Sequence, residues 1–289
     1  GRSMALFPVV PRYAKLLAQG GQHGCMPYAV AIVAAMSVGD VFVREESLAF
    51  EIPDADDPAA AKEARRAARS RYYQAMRIFD ALGEGMSDVF RLLSAVGAYE
   101  HAAATGAGSS FCERHFLRPK AMDEIHKLRA QLGNLVLASA QLSDRDERRV
   151  RDPQLSPPND AQLKVLRQLI AAMYIDRVAV RADIVDAPEA EQGGPRGAKM
   201  ASTRGVPYVA LGVPGAVFVH PSSGFFHGPP PEWVVFGELH QSASKTAVDD
   251  VRRVWLKTLT RINPAWLPTL GKTLCTFSQP IEGTKSLSE

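Results

Sequence analysis

Residues 120–132, KAMDEIHKLRAQL, contain the tetrapeptide Asp123-Glu124-Ile125-His126. In nucleotide-driven motors a D-E-x-H spelling ends a buried strand, and its carboxylates hold the Mg²⁺ that bridges the phosphates. The flanking residues argue against that chemistry here. FLRPKAM carries Arg118, Pro119 and Lys120, so no continuous apolar strand leads into the acids. Met122, Ile125, Leu128, Leu132 and Leu135 recur at steps of three and four, which predicts a helix with Ile125 inward and Asp123, Glu124 and Lys127 outward. A motor also needs G-x-x-x-x-G-K-[ST], whose amides and lysine cradle phosphates. The nearest spelling is Gly271-Lys272-Thr273, with Trp266 where the first glycine belongs. The tetrapeptide is expected in a helix, with its acids in the first turn where they offset the dipole.

The other reactive residues form no established constellation. The seven histidines (23, 101, 115, 126, 220, 227, 240) include neither an H-x-x-x-H nor an H-E-x-x-H pair, so no metal site is expected. Ser222-Ser223-Gly224 follows His220 but lacks a G-x-S-x-G elbow and reads as a strand end entering a turn. Cys25, Cys112 and Cys275 are odd in number and far apart, which suggests neither a zinc site nor a disulfide scaffold and makes a reducing compartment the default. Arg65, Arg66, Arg69, Arg71 and Arg77 follow the acidic EIPDADD; they fit a solvated helix face or a phosphate contact.

These residues must be positioned by a chain of 289 residues, 46% apolar and 22% charged, with a net charge of +3. That composition suits a globular protein of one to three domains, and its mild basicity is compatible with nucleic acid. The longest apolar run, AVAIVAAMSVG after Pro27-Tyr28, is shorter than the roughly 20 residues of a membrane span. No signal-peptide pattern is visible, and no membrane partner is expected.

Up to residue 150 the period is helical. Helices are expected over Pro27–Gly39, over 60–82 with Tyr73, Met76, Phe79 and Leu82 inward, and after Ser87 as N-cap, with Val89, Leu92, Leu93, Val96 and Tyr99 on one face. Pro119 opens the helix that carries the tetrapeptide. SDRDERRVRDPQLSPPND, residues 143–160, reads as a surface connection, after which Asn159 or Asp160 caps a further helix with Leu163, Leu166, Leu169, Ile170 and Met173 inward. The period then changes to two. Strand-like runs begin at 177 (RVAVRAD), 206 (VPYVALG), 216 (AVFVHP), 232 (EWVVFGELHQ) and 251 (VRRVWLKTLTRI). Residues 186–205 have little to bury and read as a mobile loop. The expected class is α+β: a helical domain followed by a small five-stranded barrel of OB-fold type, with Trp233 and Trp266 as core.

Several stretches together resemble DEAH/RHA-type RNA helicases. GRSMALFPVVPRYAKLL (1–17) is similar to the segment after the winged helix of that family, and CMPYAVAIVAAMSVGDVF continues it. GMSDVFRLLSAVGAYE and FCERHFLRPKAMDEIHKLRAQL resemble helices of its ratchet domain. VFVHPSSGFFHGPPPEWVVFGELHQSASKTAV resembles its OB-fold signature, and INPAWLPTL its closing motif. PRYAKLL, CMPY and MDEIHKLRAQL look like the ribosome-biogenesis member of the small-subunit processome rather than the spliceosomal members, which stay as the alternative. Departures are the absence of both RecA-like motor domains and of most of the winged helix, and the extra stretches 51–71 and 186–205.

The resemblance implies a ratchet domain with the end of the winged-helix region over 1–155, an OB-fold over 156–282 and a polar tail over 283–289. It implies an accessory module, inactive alone, that grips single-stranded RNA for motor domains in cis and docks an activator protein. ATP and Mg²⁺ would belong to those motor domains, with no cofactor in this chain. Pre-ribosomal RNA, a small nucleolar RNA duplex and a processome activator are the implied partners, in the nucleolus or nucleus. The residues expected at RNA are His115, Arg118, Lys120 and Arg129 on the ratchet, with His220, Ser222, Ser223, Phe225 and Lys245 on the barrel. A module that chiefly docks protein, with little RNA affinity, is the other reading.

Overall fold

The structure, a computed structural model, describes residues 9–49, 58–185, 200–241 and 253–272. Lys245, Cys275, the acidic stretch 51–57, most of the expected loop 186–205 and the tail 283–289 lie outside the described residues. The helical part comprises α1 (Pro11–Gln22), α2 (Met26–Val38), α3 (Pro58–Asp80), α4 (Asp88–Ala104), α5 (Gly108–Arg114), α6 (Pro119–Ser139), α7 (Asp144–Arg151) and α8 (Asp160–Met173). The β part comprises β1 (Val178–Arg181), β2 (Pro207–Ala210), β3 (Val217–Val219), β4 (Trp233–Gln241) and β5 (Val254–Arg261), followed by the short α9 (Leu267–Leu270). The α+β order is as expected, and the five strands fall on the five strand-like runs.

α2 is apolar around its whole circumference, so it can be stable only at the centre. Met26 to Ala35 are all buried, with α1, α4, α6 and α7 packed around them. At 13 residues it is a core helix, and no helix among the described residues is long and apolar enough to cross a membrane. α4 begins where Ser87 Oγ accepts from the N–H groups of Val89 and Phe90. α8 begins in a reciprocal capping box between Asn159 and Gln162, which satisfies N–H groups at the helix start. Leu166, Leu169 and Ile170 of α8 share one core with α1, α2, α4 and α6, so α8 packs with the helices as well as preceding the barrel. Each large side chain fully buried there, such as Phe79 or Phe90, contributes about 1.5–3 kcal/mol.

Two expectations need correcting. Residues 143–160 are not wholly a connection, because α7 occupies Asp144–Arg151. Ser143 caps it, Asp144, Asp146 and Glu147 fill its first turn, and Arg148, Arg149 and Arg151 its last, all favourable to the helix dipole. Charge stabilises this helix, so apolar periodicity does not report it. Secondly, α6 begins at Pro119, which places Asp123 and Glu124 beyond the first turn. They remain exposed and Ile125 remains buried.

The barrel closes in the order β1-β2-β3-β5-β4, with β4 returning to β1. β3 and β5 are parallel and the other pairs antiparallel. Val217 and Val219 point into its core with Val234, Phe236, Leu256 and Leu259. The spacing from Leu256 to Leu259 breaks strict alternation because Thr258, at φ 58, kinks β5 opposite Gly237 without any residue being inserted into the ladder. A Cβ on Gly237 would stand 2.9 Å from Thr258 Cβ, so the kink requires glycine there.

Candidate nucleic-acid interface

The first candidate region is the corner between α5 and α6. Phe116, at φ 55, turns the chain, and Leu117 pairs as an isolated antiparallel bridge with Phe42. Val43 N–H donates to Phe116 O (2.8 Å) and Arg118 N–H to Val41 O (2.9 Å), which fixes the start of α6. Arg118 is half-exposed with its guanidinium 3.6 Å from Asp40 Oδ2, and Arg44 reaches the same carboxylate at 3.4 Å. Lys120 is exposed in the first turn of α6. His115 is half-buried against Phe111 (4.3 Å between ring centroids) and Phe79 (5.8 Å). Burial and, secondarily, Arg114 pull its pKa below the usual histidine value, so at neutral pH it offers a hydrogen-bonding group rather than a charge.

Arg129 does not belong to this surface. It is 7% exposed. Its Nη1 and Nη2 donate to the carbonyls of Pro153 and Asp152, both at 2.8 Å. Nη1 also stands 3.2 Å from Glu100 Oε1, an ion pair without an aligned hydrogen bond. Glu100 is buried and its other oxygen meets His126 Nδ1 at 2.7 Å. Arg129 therefore ties α6 to α4 and to the chain after α7.

The second region is the turn after β3. His220 Nδ1 accepts from Ser222 N–H (3.1 Å) and lies 2.8 Å from Ser222 Oγ, so the Nε2-protonated tautomer fits. His220 is half-exposed and Ser222 exposed. The next three residues turn inward. Ser223 Oγ donates to Asp88 Oδ2 (2.8 Å), Gly224 N–H donates to Asp88 Oδ1 (2.9 Å), and Phe225 fills the barrel core. Leu259 N–H of β5 donates to Asp88 Oδ2 as well (2.9 Å). Asp80 grips Arg91 in a bidentate pair (2.6 and 2.7 Å), and Arg91 Nη1 donates to Ser222 O (3.1 Å). Ser87 Oγ and Thr260 Oγ1 are 2.7 Å apart. A Cβ on Gly224 would stand 2.5 Å from Arg91 Nη2 and 3.0 Å from Asp80 Oδ1, so any larger residue displaces that ion pair. Asp88 is enclosed, and burial pushes its carboxyl above the ordinary aspartate range against the opposing pull of Arg91 and the three donors. Ser223 and Phe225 thus serve the joint between helices and barrel.

A third region escaped the sequence reading. On the outer face of the barrel Phe218 is registered with Trp255, and Trp255 with His240. Ring centroids are 6.2 Å apart for Phe218–Trp255, 6.0 Å for His220–Trp255 and 5.9 Å for His220–His240. The Arg253 guanidinium lies over the Phe218 ring at 5.5 Å. Phe218 and Trp255 are half-buried and His240 is exposed. Flat rings beside a cation are the groups that nucleic-acid bases stack upon. The signal was present as alternation in V-F-V-H and V-W-L-K, whose middle aromatics take the outward parity of their strands.

Edge-on rings connect the corner to the β3 turn. Phe116 meets Tyr72 at 5.4 Å, Tyr72 meets Tyr73 at 5.7 Å, Tyr73 meets His227 at 5.3 Å, and His227 meets Phe226 at 5.1 Å. Among the described residues there is no group of three or more His, Cys, Asp or Glu that could hold a metal ion. Cys25 and Cys112 are buried, and burial pushes both thiols up to about 11, so neither is a nucleophile at neutral pH.

Comparison with known proteins agrees with this architecture. Residues 10–92 match the helicase associated domain (HA2), ratchet-like, and residues 166–274 match the oligonucleotide/oligosaccharide-binding (OB)-fold. The human probable ATP-dependent RNA helicase DHX37 is 35% identical over 290 residues, which cover 98% of this chain and 21% of the human protein. The Drosophila melanogaster probable ATP-dependent RNA helicase kurz is 34% identical over 280 residues, covering 96% and 21%. The Saccharomyces cerevisiae probable ATP-dependent RNA helicase DHR1 is 31% identical over 316 residues, covering 98% and 24%. The chain thus spans between a fifth and a quarter of the length of these relatives. With both domains matched and these relatives aligned over nearly all of it, the chain belongs to the DEAH-type RNA helicase family, of which it carries the ratchet-like helicase-associated domain and the OB-fold.

Proposed function

We propose that this chain is the RNA-gripping accessory module of an ATP-dependent RNA helicase of ribosome small-subunit biogenesis. The observation that carries the RNA contact is the outward row of Phe218, Trp255 and His240, with Arg253 over Phe218. Bases stack on such rings regardless of their identity, while Arg118 and Lys120 offer charge to phosphates from the α6 corner. His115 at the α6 corner and His220 and Ser222 at the β3 turn add hydrogen-bonding groups. Arg129, Ser223 and Phe225 act indirectly, by fixing the elements that present the others. Lys245 stays in the proposed set by its charge alone.

In this reading, motor domains in cis supply ATP hydrolysis with Mg²⁺. The module holds one strand of pre-ribosomal RNA, or of its duplex with a small nucleolar RNA, while the motor closes. The names of the relatives support the helicase part. The likeness of PRYAKLL, CMPY and MDEIHKLRAQL to the processome member supports the ribosomal part and, with it, a nucleolar or nuclear location. Docking of a processome activator is the second task, supported by an open apolar groove of about 420 Å³ between Val178, Leu211, Trp233 and Leu267 on the barrel.

Titration of labelled single-stranded RNA with the chain tests the reading. Salt-sensitive binding that Trp255→Ala weakens about tenfold or more is expected, one stacked base being worth roughly 1–3 kcal/mol. Binding unchanged by Trp255→Ala, Phe218→Ala and His240→Ala together would refute the barrel contact. Absence of RNA binding at low salt, with firm capture of an activator, would favour the docking module.

A further inference from the structure

α3 is 23 residues long, but only its second half is packed. Ala75, Met76 and Phe79 are buried, and Tyr72 and Tyr73 lie against Phe116 and His227. From Ala59 to Arg71 every residue except Ala61 and Ala68 is exposed. This half forms an arm of about 20 Å, at 1.5 Å per residue, standing off the body. Its alanines give it high helical propensity, and the packed half supplies the nucleus that a free helix of this length lacks.

The arm carries Lys62, Arg65, Arg66, Arg69 and Arg71 against the single acid Glu63. Lys62 and Arg66, and Arg65 and Arg69, are like charges four apart on one face, an arrangement that weakens a helix. Among the described residues one neutralising contact is seen, from the exposed Arg69 Nε to the half-buried Glu45 Oε1 at 2.7 Å. A stripe that bears its own repulsion gains stability from any anion bound along it.

We infer that the Lys62–Arg71 stripe of α3 is a second RNA-binding site, which takes the phosphate backbone independently of base sequence. Lys62, Arg65, Arg66 and Arg69 face one side of the helix and Arg71 the other, and together they span about 13.5 Å of axis at 1.5 Å per residue, enough to meet several phosphates. Arginine predominates, and its planar fork pairs with phosphate in a bidentate way. A protein partner is the poorer fit. Protein interfaces centre on aromatic or large aliphatic anchors, and between these cations stand only alanines, Glu63 and Ser70. The site differs from the outer face of the barrel in position and in chemistry, since it has cations and no stacking rings. The inference rests on the reading that the chain meets RNA, and not on base stacking by Trp255.

The test compares the full chain with an Arg65→Gln, Arg66→Gln, Arg69→Gln, Arg71→Gln variant, its all-lysine counterpart and Trp255→Ala. Fluorescence anisotropy follows a labelled single-stranded RNA and a duplex RNA of equal length over a salt series. The glutamine variant is expected to lose at least tenfold in affinity for both RNAs at low salt. Its slope of log Kd against log salt should fall by about 3, at roughly 0.7 or more per phosphate contact. The lysine variant should keep the slope, and both arm variants the melting temperature, as suits exposed positions. Trp255→Ala should weaken the single strand while leaving the slope in place. A glutamine variant with unchanged affinity and slope overturns the inference while leaving the barrel reading intact if Trp255→Ala still weakens binding. Loss of polyglutamate binding with RNA binding preserved also overturns it, in favour of an acidic protein partner. Failure of the unaltered chain to bind either RNA at low salt overturns both.

Discussion

One turn of seven residues, His220 to Phe226, belongs to two regions of opposite character. Ser223, Gly224 and Phe225 face inward to Asp88, Arg91 and the barrel core, in a joint where carboxylate, guanidinium and amide groups are enclosed and paired. His220 and Ser222 face outward beside Trp255 and His240, where rings and polar groups meet solvent. The same residue types therefore have different energetic weight. A buried polar group removed from its partners leaves them unsatisfied in a medium without water, whereas an exposed one exchanges its partner for solvent. Substitution should damage folding on one side of the turn and binding on the other.

The largest expected effect is at Asp88. Asp88→Ala leaves Ser223 Oγ, Gly224 N–H and Leu259 N–H without an acceptor and is expected to cost about 3–5 kcal/mol in denaturant unfolding. A loss below 1 kcal/mol would show that the joint does not bear on stability. Arg129→Gln comes next. It leaves the buried Glu100 without its guanidinium and with His126 as its remaining partner, so a loss of about 2–4 kcal/mol is expected. If Arg129→Gln instead lowers RNA affinity with the melting temperature intact, its assignment to the interior is wrong.

On the outward side the comparison reverses. Trp255→Ala should reduce single-strand affinity by about 1–3 kcal/mol per stacked base, with a smaller change in stability than either interior variant. Anisotropy and thermal melting of the same sample separate the two. The smallest effect is expected of Arg118→Gln with Lys120→Gln, which should lower the salt slope by about 1.4 for two phosphate contacts. An unchanged slope would place the strand elsewhere.

Much of the fold could be read in the sequence where one period dominates. The five strand-like runs became the five strands because alternation survives up to the kink at Thr258, and Ser87 and Asn159 cap helices as their side chains dictate. α7 was illegible to that reading because its helix rests on charges at its ends rather than on an apolar face. α5 is short and buries only Cys112, which gives periodicity little to report. For the candidate site the outcome divides along the same physics. Arg118, Lys120, His220 and Ser222 lie on accessible surface, as a binding role requires. Arg129 lies on the row Met122-Ile125-Arg129-Leu132, so its spacing already marked it as inward-facing. Ser223 and Phe225 occupy an irregular turn, where neither a period of two nor of 3.6 assigns a face. Trp255 and Phe218 were missed because a strand aromatic is ordinarily counted as core; only the register with His240 shows all three on the outside.

Photo-crosslinking of single-stranded RNA to the chain, with crosslinked peptides identified by mass spectrometry, tests the central claim most directly. The account predicts crosslinks at Phe218, Trp255 or His240 on the barrel and near Arg118 to Lys120 on the α6 corner, with none at Arg129 or Phe225. Crosslinks that avoid both the outer barrel face and the α6 corner would contradict it.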